Sequence, residues 1–168
     1  GKYHIEESKA PEGYLTDGAK PIEFEITEDG KIVDLTGTDT SIYNQVKRGD
    51  LEGVKIGAGT HQRLAGVPFR ITSKTTGESH IIVTDDNGQF STSSDWASHK
   101  NNTNVGKTSE DGIWFGTSEP DDSKGALIYD TYIIEELRCE GNKGFELIPP
   151  FEIVVSRNNV TVDSVSYT

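Results

Sequence analysis

Hydrophobic and polar positions alternate along most of the chain in short runs, the period of β-strands rather than of helices. The clearest run is Tyr132-Ile133-Ile134-Glu135-Glu136, and it occurs a second time, almost unchanged, as Tyr3-His4-Ile5-Glu6-Glu7. Read as strands, both copies put the Tyr and the third-position Ile on one face and the second position and first Glu on the other. The same alternation turns Glu136 and Glu7 toward the apolar face. There an ionised carboxylate costs several kcal/mol unless it is paired or protonated. A strand that aims a carboxyl group at its own core is strained, ending, or doing chemistry.

The segments downstream of the two copies are repeated as well. After Glu7 come a turn-rich loop, Ser8-Lys9-Ala10-Pro11-Glu12-Gly13-Tyr14, the strand Pro21-Ile22-Glu23-Phe24-Glu25-Ile26, and a Glu28-Asp29-Gly30 hairpin turn. After Glu136 come Gly141-Asn142-Lys143-Gly144, Phe151-Glu152-Ile153, and an Asn158-Asn159 turn. Glu7 recurs as Glu136 and Phe24 as Phe151, a unit of about 128 residues. The chain thus reads as the C-terminal part of one unit, residues 1–45, and then most of the next, 46–168. The first unit closes through Lys31-Ile32-Val33-Asp34-Leu35 and Ser41-Ile42-Tyr43-Asn44, with a short junction over 45–50.

The second unit continues in short strands: Val54-Lys55-Ile56, then 64–72, His80-Ile81-Ile82-Val83-Thr84, and a turn at Asp85-Asp86-Asn87-Gly88. β-Branched residues with Gly, Asn and Asp punctuation predict an all-β fold, an antiparallel β-sandwich. Residues 91–124 differ. They are polar and rich in Ser, Asn, Asp and Gly, interrupted by Trp96 and by Ile113-Trp114-Phe115. A loop this long inside a domain is either a functional excursion or a packed loop with its own anchors. Trp114 and Phe115 are expected to be anchors packed on the sandwich.

Charge narrows the function classes. With 16 basic and 28 acidic residues the net charge is −12, which argues against nucleic acid and against anionic membranes. No apolar run approaches the roughly 18 residues of a membrane span, and no charged start precedes an apolar signal core, so any targeting or anchoring segment is expected outside these residues. The single cysteine, Cys139, excludes an intrachain disulfide and a thiolate metal cluster; it reads as a small strand-end residue. His4, His61, His80 and His99 are scattered, with no HExxH or GxSxG element. Acidic clusters at Asp85-Asp86 and Glu119-Pro120-Asp121-Asp122 lack a full calcium-loop spacing and read as solvated turns. No cofactor or metal is expected. Arg48-Gly49-Asp50, at the junction, reads as a turn.

The run at 3–14, with Lys55 before Ile56, Leu64-Ala65-Gly66-Val67-Pro68-Phe69 and Thr84-Asp85-Asp86-Asn87-Gly88, resembles the Cna-B (SpaA-type) domains of Gram-positive surface adhesins and pilins. The resemblance covers nearly the whole chain apart from the insertion. It implies a transthyretin (prealbumin)-like or Ig-like β-sandwich that crosslinks itself by an isopeptide bond between a first-strand Lys and a last-strand Asn or Asp, promoted by a core Glu. The residue types suit that chemistry. An amine attacks a carbonyl only when neutral, a protonated carboxyl can polarise that carbonyl and relay protons, and an apolar core favours both neutral forms. Fixed juxtaposition removes the entropic part of the barrier.

Carried over by position, the resemblance makes Lys55 the nucleophile and Glu136 the promoting acid of the second unit. Glu7 and Asn44 become the promoting acid and acceptor of the first. The repeat spacing puts the first unit's Lys about 74 positions before Gly1 and the second unit's acceptor at about position 171 or 172. Asn158, Asn159 and Asp163 are fallback acceptors within the chain. The implied role is a structural stalk module of a cell-wall-anchored Gram-positive surface protein or pilin, extracellular and non-enzymatic apart from single-turnover self-crosslinking. Its expected partners are neighbouring repeats and, through the whole protein, a host surface or matrix ligand. The competing reading is a ligand-binding adhesin domain that uses 91–124 as its binding surface.

Overall fold

Alternation along two central strands builds the core. In the computed structural model, which describes residues 1–15, 22–30, 44–100 and 112–167, the chain divides into two units, Gly1–Val46 and Lys47–Thr168. The first unit holds β1 (Lys2–Ile5), β2 (Tyr14–Leu15), β3 (Ile22–Glu25) and β4 (Gln45–Val46). β1 pairs antiparallel with β3, setting Tyr3 opposite Phe24, and the two rings stack 5.8 Å apart. β2 pairs antiparallel with β4. Tyr3 and Ile5 are about half exposed, at 52% and 47%. The closing strands expected over 31–35 and 41–43 lie outside the described residues.

The second unit contains β5 (Arg48–Ile56), β6 (Pro68–Ser73), β7 (Ser79–Val83), β8 (Gln89–Ser91), β9 (Leu127–Ile128), β10 (Asp130–Glu136), β11 (Phe151–Val155) and β12 (Thr161–Tyr167), with one 3-10 turn at Glu140–Asn142. One sheet runs β11-β10-β6-β7 and is antiparallel throughout. The other runs β12-β5-β8, with β9 also pairing with β5. Among the described residues, β12 departs from antiparallel order: it lies parallel to β5 and brings Ser166 opposite Lys55.

Inward positions obey the strand period. β6 buries Phe69, Ile71 and Ser73, β10 buries Tyr132, Ile134 and Glu136, and β5 buries Leu51 and Lys55. With Val67, Ile82, Phe90, Leu127, Ile153 and Val155, the apolar members of this set form one cluster between the sheets. Full burial of each large aliphatic or aromatic side chain contributes about 1.5–3 kcal/mol.

The junction reading of Arg48-Gly49-Asp50 is corrected by the fold. These residues are not a turn but the start of β5, with Arg48 and Gly49 buried. They are strand because their backbone pairs with β9 and because Gly49 leaves room for the Val160 carbonyl oxygen, which would lie 2.5 Å from a Cβ at that position. The insertion packs, as its aromatic residues predict: Ile113, Trp114 and Phe115 are buried, while Trp96 is half-buried. Its segment 101–111 lies outside the described residues. Cys139 is half-buried against the core cluster.

Candidate functional site

Lys55 and Glu136 come from different sheets and meet between them. Lys55 is the penultimate residue of β5, and its backbone is gripped on both sides: its N–H donates to the Gly88 carbonyl at 2.7 Å and its own carbonyl accepts from Leu64 at 3.0 Å. Gly88 is required there. Its φ is +70°, and a Cβ would sit 2.9 Å from the Lys55 carbonyl oxygen. The turn that delivers it is organised by Asp85, whose carboxylate accepts from the Asn87 and Gln89 amides.

Glu136 ends β10 opposite Phe69. The Glu135 carboxylate points out and bridges Arg70 at 3.4 Å, whereas Glu136 points in. Both Lys55 and Glu136 side chains are 0% exposed, with Nζ and Oε2 2.9 Å apart. The contact is close but off the angle of a hydrogen bond, and neither atom has another polar partner. Glu136 Oε1 is held separately, accepting from the Ile148 N–H at 3.0 Å. One carboxyl oxygen is therefore anchored by backbone and the other is left to the lysine. Nζ and Oε2 thus face one another with no other polar partner among the described residues.

The first unit shows a complementary pair. Asn44 Nδ2 donates to Glu7 Oε2 at 3.2 Å, while Glu7 Oε1 and Asn44 Oδ1 are buried without hydrogen-bond partners. By the repeat, Glu7 is the counterpart of Glu136. One unit therefore presents the acid with an amide and the other the acid with an amine.

The fallback acceptors are not brought to Lys55. Asn158 accepts from the Arg48 N–H and Asn159 donates to the Arg48 carbonyl, so both sit at the opposite end of β5. Lys55 is seven residues along the strand from Arg48, about 23 Å. Asp163 pairs in register with Glu52 on the exposed side of the sheet. Its hydrogen bond to Glu52, with partial burial and like charge, raises the Glu52 carboxyl above its ordinary range.

A second organised region was not legible in the sequence. Arg48 lies 3.6 Å over the Trp114 ring and donates to the carbonyls of Phe115, Gly125 and Ala126. Burial lowers its pKa from the ordinary guanidinium value. Trp114 also stacks on His99, and Phe115 meets Tyr132 edge-on at 5.0 Å. The Ile148 donor was equally hidden, since a backbone N–H carries no signal in side-chain identity.

Parts of the chain are similar to known proteins. Residues 1–41 match the family model described as SpaA: Prealbumin-like fold domain. No curated protein matches the chain. Among solved structures, the Bacillus anthracis TIE protein is similar with a TM-score of 0.60 at 17% identity, over 99% of this chain and 24% of that one. BcpA, the major pilin subunit of Bacillus cereus, aligns with a TM-score of 0.44 at 18% identity over 76% of this chain and 31% of its own. A streptococcal ancillary pilin aligns with a TM-score of 0.40 at 16% identity over 98% and 41%. The chain spans less than half the length of each of these proteins. Residues 1–41 are thus similar to the SpaA prealbumin-like fold domain, and the described residues are nearly all β, in a fold shared with the TIE protein.

Proposed function

We propose that this chain is a structural stalk module of a Gram-positive surface protein or pilin, stabilised in the intact protein by a Lys–Asn or Lys–Asp isopeptide bond that forms once, without turnover. The observation that carries the reading is the fully buried Lys55–Glu136 pair, with its unfilled Nζ and Oε2. The sister pair Glu7–Asn44 supplies the missing third group type, a carboxamide facing the equivalent acid. In this reading the acceptor of the second unit follows β12, the strand that runs parallel to β5 and sets Ser166 opposite Lys55.

The reaction starts when Lys55 passes a proton to Glu136 across their 2.9 Å contact. The neutral amine attacks the acceptor Cγ, forming the N–C bond. Glu136 donates its proton toward the carbonyl and relays protons to the leaving group, and the C–N or C–O bond of the acceptor breaks to release ammonia from Asn or water from Asp. The Ile148 N–H keeps the carboxyl from rotating away meanwhile. A link closing a loop of about 100 residues stabilises, by analogy with a disulfide, by roughly 4–5 kcal/mol. It also ties the first strand to the last, so tension along the chain cannot peel them apart.

The location is the extracellular surface and the partners are neighbouring modules of the same or like chains. The rival reading, with 91–124 as a ligand surface built on Trp96, Trp114 and Phe115, is less supported, because Trp114 and Phe115 are buried and Trp96 is half-buried. Intact mass tests the proposal. A chain extended past Thr168 through the proposed acceptor should weigh one ammonia or one water less than its sequence, and Lys55→Ala or Glu136→Ala should restore the full mass. An extended chain of full, unmodified mass would sink it.

A further inference from the structure

The insertion returns to the sheet at Gly112–Gly116, and a histidine outside the lysine site fastens it. His80, on β7, has both ring nitrogens engaged: Nδ1 is 3.1 Å from the Gly112 carbonyl oxygen and Nε2 is 3.1 Å from Glu78 Oε2. The His80 side chain is 9% exposed. A carbonyl oxygen and a carboxylate are both acceptors, while a neutral imidazole has a single N–H to give. The arrangement is satisfied only if the site holds one proton more than a neutral ring beside an ionised carboxylate, whether that proton sits on the ring or on Glu78. Glu78 in turn accepts the Gly116 N–H at 3.0 and 3.2 Å, so the same pair grips the returning arm at two points. Phe115, between those points, lies with its ring edge-on to His80, centroids 4.5 Å apart.

We propose that His80 and Glu78 form a proton-operated clasp that fastens the returning arm of the insertion to the sheet and loosens it as pH rises. The other charged groups around the arm come from several elements. Arg48 of β5 feels the charges of Glu78 and Asp121, and Tyr132 of β10 meets Phe115 with its hydroxyl donating to the Ile128 carbonyl. His99, fully buried, faces Asp50 at 3.9 Å and Asp122 at 3.7 Å, and its carbonyl accepts from the Ile113 N–H. Proton count gives the direction of the effect. Above the range in which a free imidazole is itself protonated, the docked arm keeps a proton that the undocked arm has given up, so docking weakens as pH rises, by at most about tenfold per pH unit.

The test is amide hydrogen exchange at Gly116 and Ile113, corrected for the intrinsic rate, together with the ring nitrogen signals of His80 by NMR between about pH 5 and 8. Protection should fall by about tenfold or more over that range, in step with the loss of one proton from the pair. Glu78→Gln is the decisive variant. Its side-chain amide can donate to a neutral Nε2 while its oxygen still accepts from Gly116, so docking should persist at both ends of the range and the pH step should vanish. His99→Asn should keep the step. A Glu78→Gln protein that retains the wild-type step, or a wild-type arm equally protected at both ends of the range, would overturn the clasp.

Discussion

The most consequential single residues are Lys55 and Glu136, because each makes the other tolerable. Removing one partner of a buried ion pair leaves an unpaired charge in the core, at a cost of roughly 3–5 kcal/mol, whereas replacing both with apolar side chains of similar volume is often neutral. Glu136→Ala and Lys55→Ala should therefore each destabilise the second unit of the uncrosslinked chain by about that amount. The double variant Lys55→Met/Glu136→Leu should recover most of the loss. Urea unfolding of the four proteins checks this: additive losses in the double variant would mean that the two side chains act independently rather than as a pair. The inward direction of Glu136 is set by strand period alone. Its distance to Lys55 is not, since the two residues are on strands of different sheets.

At the level of elements, the parallel pairing of β12 with β5 carries a visible cost. It sets Glu52 directly opposite Asp163, and like charges opposed across strands are destabilising. The Glu52 carboxyl is raised above its usual range, first by its hydrogen bond with Asp163 and then by partial burial and charge repulsion. A raised folded-state carboxyl pKa means that the folded chain holds the proton more tightly than the unfolded chain does. The penalty is thus present at neutral pH and relieved as pH falls through the raised value. Glu52→Gln should stabilise at pH 7 by a few tenths of a kcal/mol, because both groups are largely exposed and screened. The gain should shrink at high salt and disappear in acid, as thermal melts across pH would show. The sequence showed an alternating β12 but not its neighbour, because a strand's pattern says which face is buried and nothing about which edge it joins.

Across the second unit as a whole, Arg48 joins the insertion to the sandwich. It starts β5, stacks on Trp114 and supplies donors to three carbonyls from the insertion and the segment after it. Truncation would leave buried carbonyl groups unpaired and expose the Trp114 face, so Arg48→Ala should destabilise by roughly 2–4 kcal/mol. Arg48→Lys should recover only part of this, since an ammonium cannot reproduce the planar stack and fork of donors. Trp114 emission in a Trp96→Phe background should shift to the red in Arg48→Ala; unchanged emission and stability would show that the insertion is held without it. Sequence alone misplaces this residue because a charged side chain next to Gly and Asp looks like a turn. Its burial depends on an indole that arrives more than sixty positions later.

By itself the sequence determined what is periodic or repeated. The β class, the inward aim of Glu136 and the anchoring aromatic residues of the insertion were readable, because each is a local pattern. Tertiary structure alone decided which distant groups meet: Lys55 with Glu136, Glu7 with Asn44, Arg48 with Trp114, His80 with Glu78 and Gly112. It also removed Asn158, Asn159 and Asp163 from reach of the lysine. The physical reason is the same in every case. Strand period sets the face a side chain points to, but sheet order, register and loop return set its neighbour, and chemistry at a buried amine depends on the neighbour.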